Sequence, residues 1–394
     1  MTRATRLVAA LSFLALASAC ARPGVPGVSQ KEVVLGMSAP LSGPAAAWGS
    51  VHRGALAWAA HVNADGGVNG RQIRIVIKDD GYVPGRAVAN VTEMTDSVFA
   101  IVGLLGTAVL NANKNLVAEA GVPVIGPFGN PRIFARQPKE KVERVFSLYP
   151  DYESEGNFLG EQIVARTPAR KAAVFYQNDD YGKEGKEGLL RGLGSAGGTL
   201  VAEVPYELQD REMGLQALKL KESAAEVVVL FSTTTHGASL VKEMAKVGYW
   251  PTVFASFPLG DYQVMYRLLG GLWDGVYVTG YIPFMGEPEA DRVVEVLVKQ
   301  DETLKGRELF ALTGAITMMV TVEGLQRAGR TLTRESYVRA LEGLRDFKPE
   351  GLGAGITFGP GRHHGLNTVR LLRTKSAFEP PEVLTPYQPF PALF

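Results

Sequence analysis

The sequence has a single cysteine and only five histidines among 394 residues. One cysteine excludes an intrachain disulfide framework, a cysteine-rich zinc site and a CxxC redox pair. An excess of one charge is also missing, because 41 Lys and Arg residues balance 40 Asp and Glu residues, and no basic stripe is interleaved with aromatic residues. We therefore expect no nucleic-acid partner. The hydrophobic share of 46% predicts a globular protein with a large core.

Catalytic signatures are equally scarce. The sequence has no GxSxG nucleophile elbow, no P-loop and no HExxH zinc motif. Residues 192–197 match GxGxxG, but they lie where a predicted helix ends and a strand begins, which indicates a helix stop. Asp79 and Asp80 precede a glycine and are interpreted as turn residues that accept backbone N–H bonds. His363 and His364 are predicted to lie in a surface loop rather than in a metal site. Because no catalytic or metal-binding motif is present in the sequence, we expect no enzymatic activity, no cofactor and no bound metal ion.

Residues 1–19 have the features of an export signal. Arg3 and Arg6 precede an apolar run, which is shorter than the roughly 20 residues that cross a bilayer, and small residues follow before Cys20. The arrangement resembles the lipobox of bacterial lipoproteins, in which the cysteine that begins the mature chain is acylated. It predicts lipid attachment at Cys20 and a linker over residues 20–30. An ordinary signal peptide beside an incidental cysteine is the alternative.

Short β-branched runs alternate with amphipathic stretches from Val33 onward. This pattern is typical of parallel strands joined by crossover helices, and two such sheets follow one another, so we expect an α/β protein with two lobes. Three helical stretches and a late strand at Val369–Arg373 come next. The uncharged stretch 310–322 is too short for a membrane span and is predicted to be a buried helix. The tail, residues 380–394, contains five prolines and is expected to run extended over the surface.

Open parallel sheets bind ligands at the carboxyl ends of their strands. Here the loops at these ends are residues 39–44, 79–82, 104–107 and 126–130. Thr107 precedes a helix, so it either holds a ligand carboxylate at the helix N-terminus or simply caps the helix. Trp48 is either a core aromatic or a cavity wall, whereas Phe128 beside a glycine is harder to explain as core. Tyr149 and Tyr152 flank a proline and are predicted to lie near a hinge between the lobes.

Several segments resemble those of a known family. They are Pro40-Leu41-Ser42-Gly43-Pro44 with Trp48-Gly49, Val62 to Gly70, Asp79-Asp80-Gly81-Tyr82, Gly121 to Phe128, Tyr176 to Gly182 and Phe358-Gly359-Pro360-Gly361. From about Val33 to Arg373 the chain is similar to the type I periplasmic solute-binding proteins of ABC importers, in the branch of the leucine/isoleucine/valine-binding protein. The resemblance implies two Rossmann-like, doubly wound parallel-sheet lobes joined by a three-stranded hinge, with the ligand trapped between them.

The resemblance also implies how the chain divides. Lobe 1 would consist of residues 31–149 and 282–357, and lobe 2 of residues 150–281 and 358–394, the last part including the C-terminal tail. The three hinge crossovers would fall near residues 149–151, 280–283 and 357–359. A ligand could then touch both lobes at once.

The implied ligand site draws on both lobes and the hinge. By resemblance the ligand-binding residues are Trp48, Leu105, Gly106, Thr107, Phe128, Gly129, Tyr149, Asp151, Tyr152, Tyr181, Thr234, Thr235 and Phe257. In relatives that bind amino acids, an acidic residue of lobe 2 binds the ammonium, but its place falls around Ser256-Phe257-Pro258, which contains no acid. Asp151 and Asp261 are the candidate substitutes. An amino acid, an aromatic or aliphatic carboxylate, and an amide are all expected ligands.

The implied function is that of an extracytoplasmic lipoprotein, periplasmic or on the cell surface and held at the membrane by its lipid anchor. It would capture a small carboxylate or amino-acid-like ligand and deliver it to the subunits of an ABC permease. The alternative is a receptor of the same fold that senses an amide or amino acid and acts on a signalling partner.

Overall fold

The computed structural model describes residues 24–394, so the predicted export signal and Cys20 lie outside the described residues. The first lobe is centred on five parallel strands in the order β2-β1-β3-β4-β5. They are β1 (Glu32–Ala39), β2 (Gln72–Asp79), β3 (Ala100–Val102), β4 (Val124–Ile125) and β5 (Val145–Phe146). All but the first residue of β1 are buried, as its apolar sequence and its place inside the sheet require.

Helices cover this sheet and connect its strands. They are α1 (Gly49–Ala64), α2 (Pro84–Met94), α3 (Thr107–Glu119), α4 (Arg132–Ala135) and α5 (Lys139–Val142). Proline at the first position of α2 supplies a preset φ and lacks only an N–H that would have no partner inside the helix. The crossover connections point every strand in one direction, which brings the loops after β1 to β4 to one edge of the sheet.

The second lobe contains an eight-stranded sheet in the order β12-β11-β10-β9-β8-β6-β7, with β13 paired to β11. Its strands are β6 (Lys171–Gln177), β7 (Thr199–Tyr206), β8 (Val227–Phe231), β9 (Thr252–Ala255), β10 (Tyr277–Gly280), β11 (Thr368–Arg373), β12 (Glu382–Val383) and β13 (Gln388–Pro389). Its helices are α6 (Tyr152–Arg166), α7 (Asp180–Ala196), α8 (Gly214–Glu222), α9 (Thr234–Lys246) and α10 (Tyr262–Leu269). β6 to β10 are parallel, whereas β11 is antiparallel to β10.

Three later helices pack on the first lobe: α11 (Pro288–Gln300), α12 (Glu308–Ala328) and α13 (Arg334–Glu342). α12 lies against α1 at a distance that only glycine allows, because a Cβ at Gly54 would collide with the Ala311 carbonyl and one at Gly314 with the Val51 carbonyl. Within residues 24–394, α12 is the one helix long and apolar enough to span a bilayer. It is mostly buried in the protein, which agrees with the predicted buried helix.

The chain passes between the lobes three times, after β5, after β10 and before β11. The first and third passages pair, since Ser147 N donates to the His363 carbonyl (2.8 Å) and Gly365 N donates to the Ser147 carbonyl (2.9 Å). This pairing buries His363 and His364, so their predicted place in a surface loop is wrong. His363 stacks on Phe146 at 4.2 Å, and His364 Nε2 bonds the Tyr149 carbonyl at 3.0 Å.

The C-terminal tail does more than cross the surface. β12 and β13 pair with β11, and the Phe394 carbonyl accepts the backbone N–H groups of His363 and His364. The Phe394 ring lies 6.1 Å from that of Phe134 in the first lobe. The expected extended surface segment is therefore tied to the third passage between the lobes.

Two interpretations of sequence motifs are confirmed. α7 runs through the GxGxxG segment and ends at Gly197, whose φ of 84° is the left-handed conformation of a helix C-cap. The carboxylates of Asp79 and Asp80 accept backbone N–H groups in the turn after β2, from Leu41 and Gly81 for Asp79 and from Tyr82 for Asp80. Both motifs are accounted for by local structure.

Candidate functional site

A cavity lies between the two lobes, at the carboxyl ends of their strands. The cavity has a volume of about 60 Å³, which is room for roughly five waters at about 10–15 Å³ each. Ten of the 22 residues that line it are aromatic: Trp48, Tyr82, Phe128, Tyr149, Tyr152, Tyr181, Phe257, Tyr281, Phe284 and Phe310. No Asp, Glu, Lys, Arg or His side chain of residues 24–394 belongs to the wall. The cavity therefore suits a small, largely apolar solute.

The structure brings nine of the thirteen predicted ligand-binding residues into this wall. They are Trp48, Leu105, Gly106, Thr107, Phe128, Tyr149, Tyr152, Tyr181 and Phe257. They come from the loops after β1, β3 and β4 in the first lobe, from the first passage between the lobes, and from the second lobe. Their contact with a ligand stays a prediction.

Four predicted residues do not reach the cavity. Gly129 is not part of the wall, and a Cβ at this position would lie 2.8 Å from Leu110 Cδ1 and 3.0 Å from the Thr107 amide nitrogen. The Asp151 carboxylate is taken up as the N-cap of α6 and as the partner of Arg132 (3.0 Å). Thr234 is buried at the start of α9. Thr235 donates its hydroxyl to the Pro44 carbonyl of the opposite lobe at 2.9 Å.

The first lobe contributes a polar end to the cavity at the start of α3. Gly106 is the N-cap residue, with a φ of 110°, and a Cβ there would collide with the ring of Tyr82. The Thr107 hydroxyl accepts the N–H of Asn130 at 3.1 Å, which leaves its own proton available for a ligand acceptor. Thr107 is thus not the cap, and the first-turn N–H groups of α3 favour an anionic group by about 0.3–1 kcal/mol.

Tyrosine and phenylalanine rings form the middle of the cavity. Tyr149 stands edge-on to Phe128, Phe257 and Tyr281 at ring distances of 5.9, 4.9 and 5.5 Å. Tyr152 stacks on Phe257 at 5.4 Å, and its hydroxyl donates to that of Tyr149 at 3.1 Å. Burial raises the pKa of Tyr149 and Tyr152 well above the usual value, so both phenols are neutral.

The wall also contains residues that sequence reasoning missed. Tyr82 lies in the loop after β2. This loop is one of the four predicted strand-end loops, so an aromatic residue in it could have been predicted to line the cavity. Thr279 and Tyr281 flank the end of β10, while Phe310 and Thr313 belong to α12. The residues of α12 enter the cavity only because the chain returns to the first lobe, which no local pattern indicates.

A buried carboxyl group stands directly behind the wall. Glu155, in the first turn of α6, is fully buried and accepts hydrogen bonds from Ser256 Oγ (2.7 Å), Phe257 N (2.9 Å) and Thr279 Oγ1. Burial raises its pKa to about 7, against the lowering effect of these hydrogen bonds. Glu155 therefore places a buried carboxyl group beside Ser256 and Phe257, in a segment whose own sequence contains no acid.

The two substitutes predicted for that acid have other partners. Burial alone would raise the pKa of Asp151, but hydrogen bonds from Ser154 and Asn367 and the Arg132 guanidinium lower it overall. Asp261 caps α10 by accepting Val264 N and also accepts Phe310 N. Its burial raises its pKa to about 7. Neither carboxylate belongs to the cavity wall.

Polar contacts join the two lobes around the cavity. Trp48 Nε1 donates to the Pro258 carbonyl at 3.0 Å, and Asn130 Nδ2 donates to the Asp180 carbonyl at 3.2 Å. Arg132 of the first lobe pairs with Glu153 of the second at 2.9 Å. With these contacts in place, the cavity is covered from both sides. Two α/β lobes that enclose a solute-sized cavity are the architecture of a two-lobed solute-binding protein.

Comparison with known proteins identifies the family. The periplasmic binding protein family model matches residues 32–379, and the chain belongs to this family, in its Leu/Ile/Val-binding branch. It is 24% identical to Leu/Ile/Val-binding protein homolog 3 of Brucella melitensis, over 86% of this chain and 90% of the relative. An amino acid binding protein of Pseudomonas aeruginosa is 30% identical over 67% of this chain and 71% of its own length.

A solved structure has the same fold. It is that of a branched chain amino acid ABC transporter protein from Thermus thermophilus with bound valine. The TM-score is 0.82 at 18% identity, and the match covers 92% of this chain and 98% of the other. The predicted α/β fold with two parallel-sheet lobes is confirmed.

Proposed function

We propose that this protein is an exported solute-binding protein that captures a small carboxylate or amino-acid-like ligand between its lobes and delivers it to an ABC permease. The observation that carries the proposal is the cavity itself. It is aromatic, it has the size of a small solute, and its polar end combines the Thr107 hydroxyl with the N-terminus of α3. These are donors, so they suit the carboxylate of such a ligand.

The names of the relatives support an amino acid as the ligand. The matched proteins are described as Leu/Ile/Val-binding or amino acid binding, and the Thermus thermophilus structure holds valine. A branched aliphatic side chain would also suit a wall of aromatic rings, because burying it against them removes apolar surface from water. Branched-chain amino acids are therefore the first ligands to test.

Ligand capture would use the contacts between the lobes. A ligand held by Thr107 in one lobe and by the tyrosines of the other interacts with both lobes only when the lobes meet. Its binding therefore shifts the hinge equilibrium toward the arrangement with Trp48 bonded to Pro258. The permease would recognise that closed arrangement. The alternative of a sensing receptor is not favoured, because the matched relatives are named for binding and transport.

The membrane anchor is part of the same proposal. Lipid attachment at Cys20 would hold the protein beside its permease, and one or more acyl chains rather than basic residues would supply the membrane affinity. Cys20→Ala should move the protein from the detergent phase to the aqueous phase when cells that express the full chain are extracted. Equal partitioning of both forms would contradict the anchor.

Binding is tested by a thermal-shift screen followed by calorimetry on the mature protein. The panel contains branched-chain amino acids, aromatic and aliphatic carboxylates, and amides. A ligand at a hundred times its dissociation constant should add about 2.7 kcal/mol of stability. Thr107→Ala should weaken every hit, whereas Thr95→Ala, which removes a hydroxyl from the end of α2 away from the cavity, should not. No response across the panel, or equal affinity in Thr107→Ala, would contradict the proposal.

A further inference from the structure

Two side chains of the third passage between the lobes bond the other segments at the hinge. The first is His364, whose Nε2 lies 3.0 Å from the Tyr149 carbonyl in the first passage and whose Nδ1 accepts the N–H of Leu393 in the tail at 3.2 Å. Because Nδ1 accepts, the ring proton is on Nε2, which donates to Tyr149. Burial lowers the pKa of His364 to about 4, so the imidazole is neutral and both bonds can form.

Asn367 repeats this arrangement three residues later. Its side chain accepts the N–H of Asp151 in the first passage at 3.1 Å and donates to the Asp151 carboxylate at 2.9 Å. The same amide nitrogen donates to the Pro391 carbonyl in the tail at 2.7 Å. His364 and Asn367 are both buried. Each bonds the first passage on one side and the tail on the other, so the three segments are joined into one unit.

The tail is also fastened to both lobes. In the second lobe β13 pairs with β11, and Thr368 donates its hydroxyl to the Gln388 carbonyl at 3.0 Å. In the first lobe the Phe394 ring lies 6.1 Å from that of Phe134 on α4 and packs against the apolar cluster around it. Phe394 follows Pro389 by only five residues, a length that spans at most about 18 Å when fully extended. A large rotation of one lobe against the other must therefore detach one end of this segment.

From these contacts we infer that residues 390–394, held by His364 and Asn367, form a strap that stabilises the closed arrangement of the lobes. The strap also reaches the cavity, because the Tyr149 residue that His364 bonds stands in the aromatic wall. His364, Asn367 and Phe394 are themselves outside the wall, so they are positioning residues. The inference goes beyond the proposed function, since it concerns the free energy of lobe closure and not the identity of the ligand.

Removing the Phe394 ring tests the strap, because it cuts the link to Phe134 and leaves the cavity wall intact. In Phe394→Ala the dissociation constant of leucine, or of whichever compound of the panel binds most tightly, should rise about threefold or more. The matched control is Phe378→Ala in the same tail, since the Phe378 side chain is 97% exposed. Its affinity for the same compound should equal that of the wild type.

A double-mutant cycle tests whether His364 belongs to the same strap. Glutamine at this position can still donate an N–H to the Tyr149 carbonyl but has no acceptor in the place of Nδ1, so His364→Gln loses the bond from Leu393. It should therefore weaken binding as Phe394→Ala does. Adding Phe394→Ala to His364→Gln should cause little further loss, because both substitutions release the same segment.

A distance measurement needs no ligand. Ala89 on α2 and Leu215 on α8 are exposed residues of opposite lobes, and changing both to cysteine in a Cys20→Ala chain creates two sites for spin labels. Double electron–electron resonance on the free protein should show a larger share of long distances, which belong to separated lobes, in Phe394→Ala than in the wild type. A residue that only supports the fold would lower the melting temperature without changing this distribution or the affinity of the folded protein.

Several outcomes would overturn the strap. They are wild-type affinity in Phe394→Ala, an equal loss of affinity in Phe378→Ala, fully additive losses in the double variant, and identical distance distributions with and without the Phe394 ring. If compounds of the panel bind and these distributions coincide, the solute-binding proposal stands and only this inference fails. If no compound binds, the solute-binding proposal fails, and the distance distributions alone decide whether the strap holds the lobes together.

Discussion

Replacing Trp48 with Phe tests whether the lobes close on the ligand. Trp48 belongs to the cavity wall of the first lobe, and its Nε1 donates to the Pro258 carbonyl of the second lobe at 3.0 Å. Phenylalanine keeps an aromatic ring beside Tyr82 but has no N–H group. The substitution therefore removes one bond between the lobes while most of the apolar wall remains.

The expected size of the effect follows from that single hydrogen bond. A neutral hydrogen bond contributes about 0.5–1.5 kcal/mol net to the state that contains it. The Trp48 bond can form only when the lobes meet, so its loss should lower the population of the closed arrangement by a factor of about 2 to 13. If the free protein is mainly open, the dissociation constant of any ligand that requires closure rises by the same factor.

Calorimetry on the wild type, Trp48→Phe and Trp58→Phe measures this effect. Trp58 is the matched control, because it lies on α1 against His61, with a ring distance of 5.0 Å, and outside the cavity wall. Its substitution should lower the stability of the protein and leave the affinity unchanged. An unchanged dissociation constant in Trp48→Phe, or an equal loss in Trp58→Phe, would refute the reasoning.

Three further substitutions give separate tests. Gly106→Ala places a Cβ against the Tyr82 ring at a backbone position with positive φ. The affinity for the ligand should therefore fall more than tenfold (about 1.4 kcal/mol) in a binding titration. An affinity equal to that of the wild type would contradict this geometry. Arg132→Gln removes one of the cations that join the lobes. Stopped-flow measurements should show faster ligand release and a weaker dependence on salt, and identical salt slopes would argue against this contact. Asp261 keeps its proton in the fold up to about pH 7 but loses it in the unfolded chain near pH 4, so the wild type loses stability as pH rises through that window. Asp261→Asn keeps the cap and does not ionise, so its advantage in urea unfolding should grow from pH 5 to pH 8, by an amount on the order of a few kcal/mol; parallel curves would show that the carboxyl is not buried.

The sequence predicts β1 to β11 and the long helices well, because β-branched runs and amphipathic periodicity are local signals. β12 and β13 have two residues each and were expected only as part of an extended tail. α4, α5 and α10 were not predicted, since they have four to eight residues and too few turns for a periodic pattern. His363 and His364 were misplaced for a different reason. The partners that bury them, Phe146 and the C-terminal Phe394, are remote in the sequence.

The residues at the candidate site also differ in whether the sequence alone could predict them. Thr107 and Phe128 were accessible to prediction because they follow strands whose carboxyl ends meet at one edge of the sheet. Glu155 was not, because an acidic residue in the first turn of a helix is ordinarily explained by the helix dipole. Its burial behind the cavity depends on hydrogen bonds from Ser256 and Thr279, more than a hundred residues later. Only the three-dimensional structure brings these groups together.

The central claim is that one small solute occupies the cavity between the lobes. A crystal structure of the protein with the tightest hit of the ligand panel tests this claim most directly. We predict one ligand molecule with its acceptor on Thr107 and its other end against Tyr152 and Thr279, and with the lobes in contact through Trp48 and Pro258. A ligand bound elsewhere, or a cavity filled by protein side chains in the complex, would contradict it.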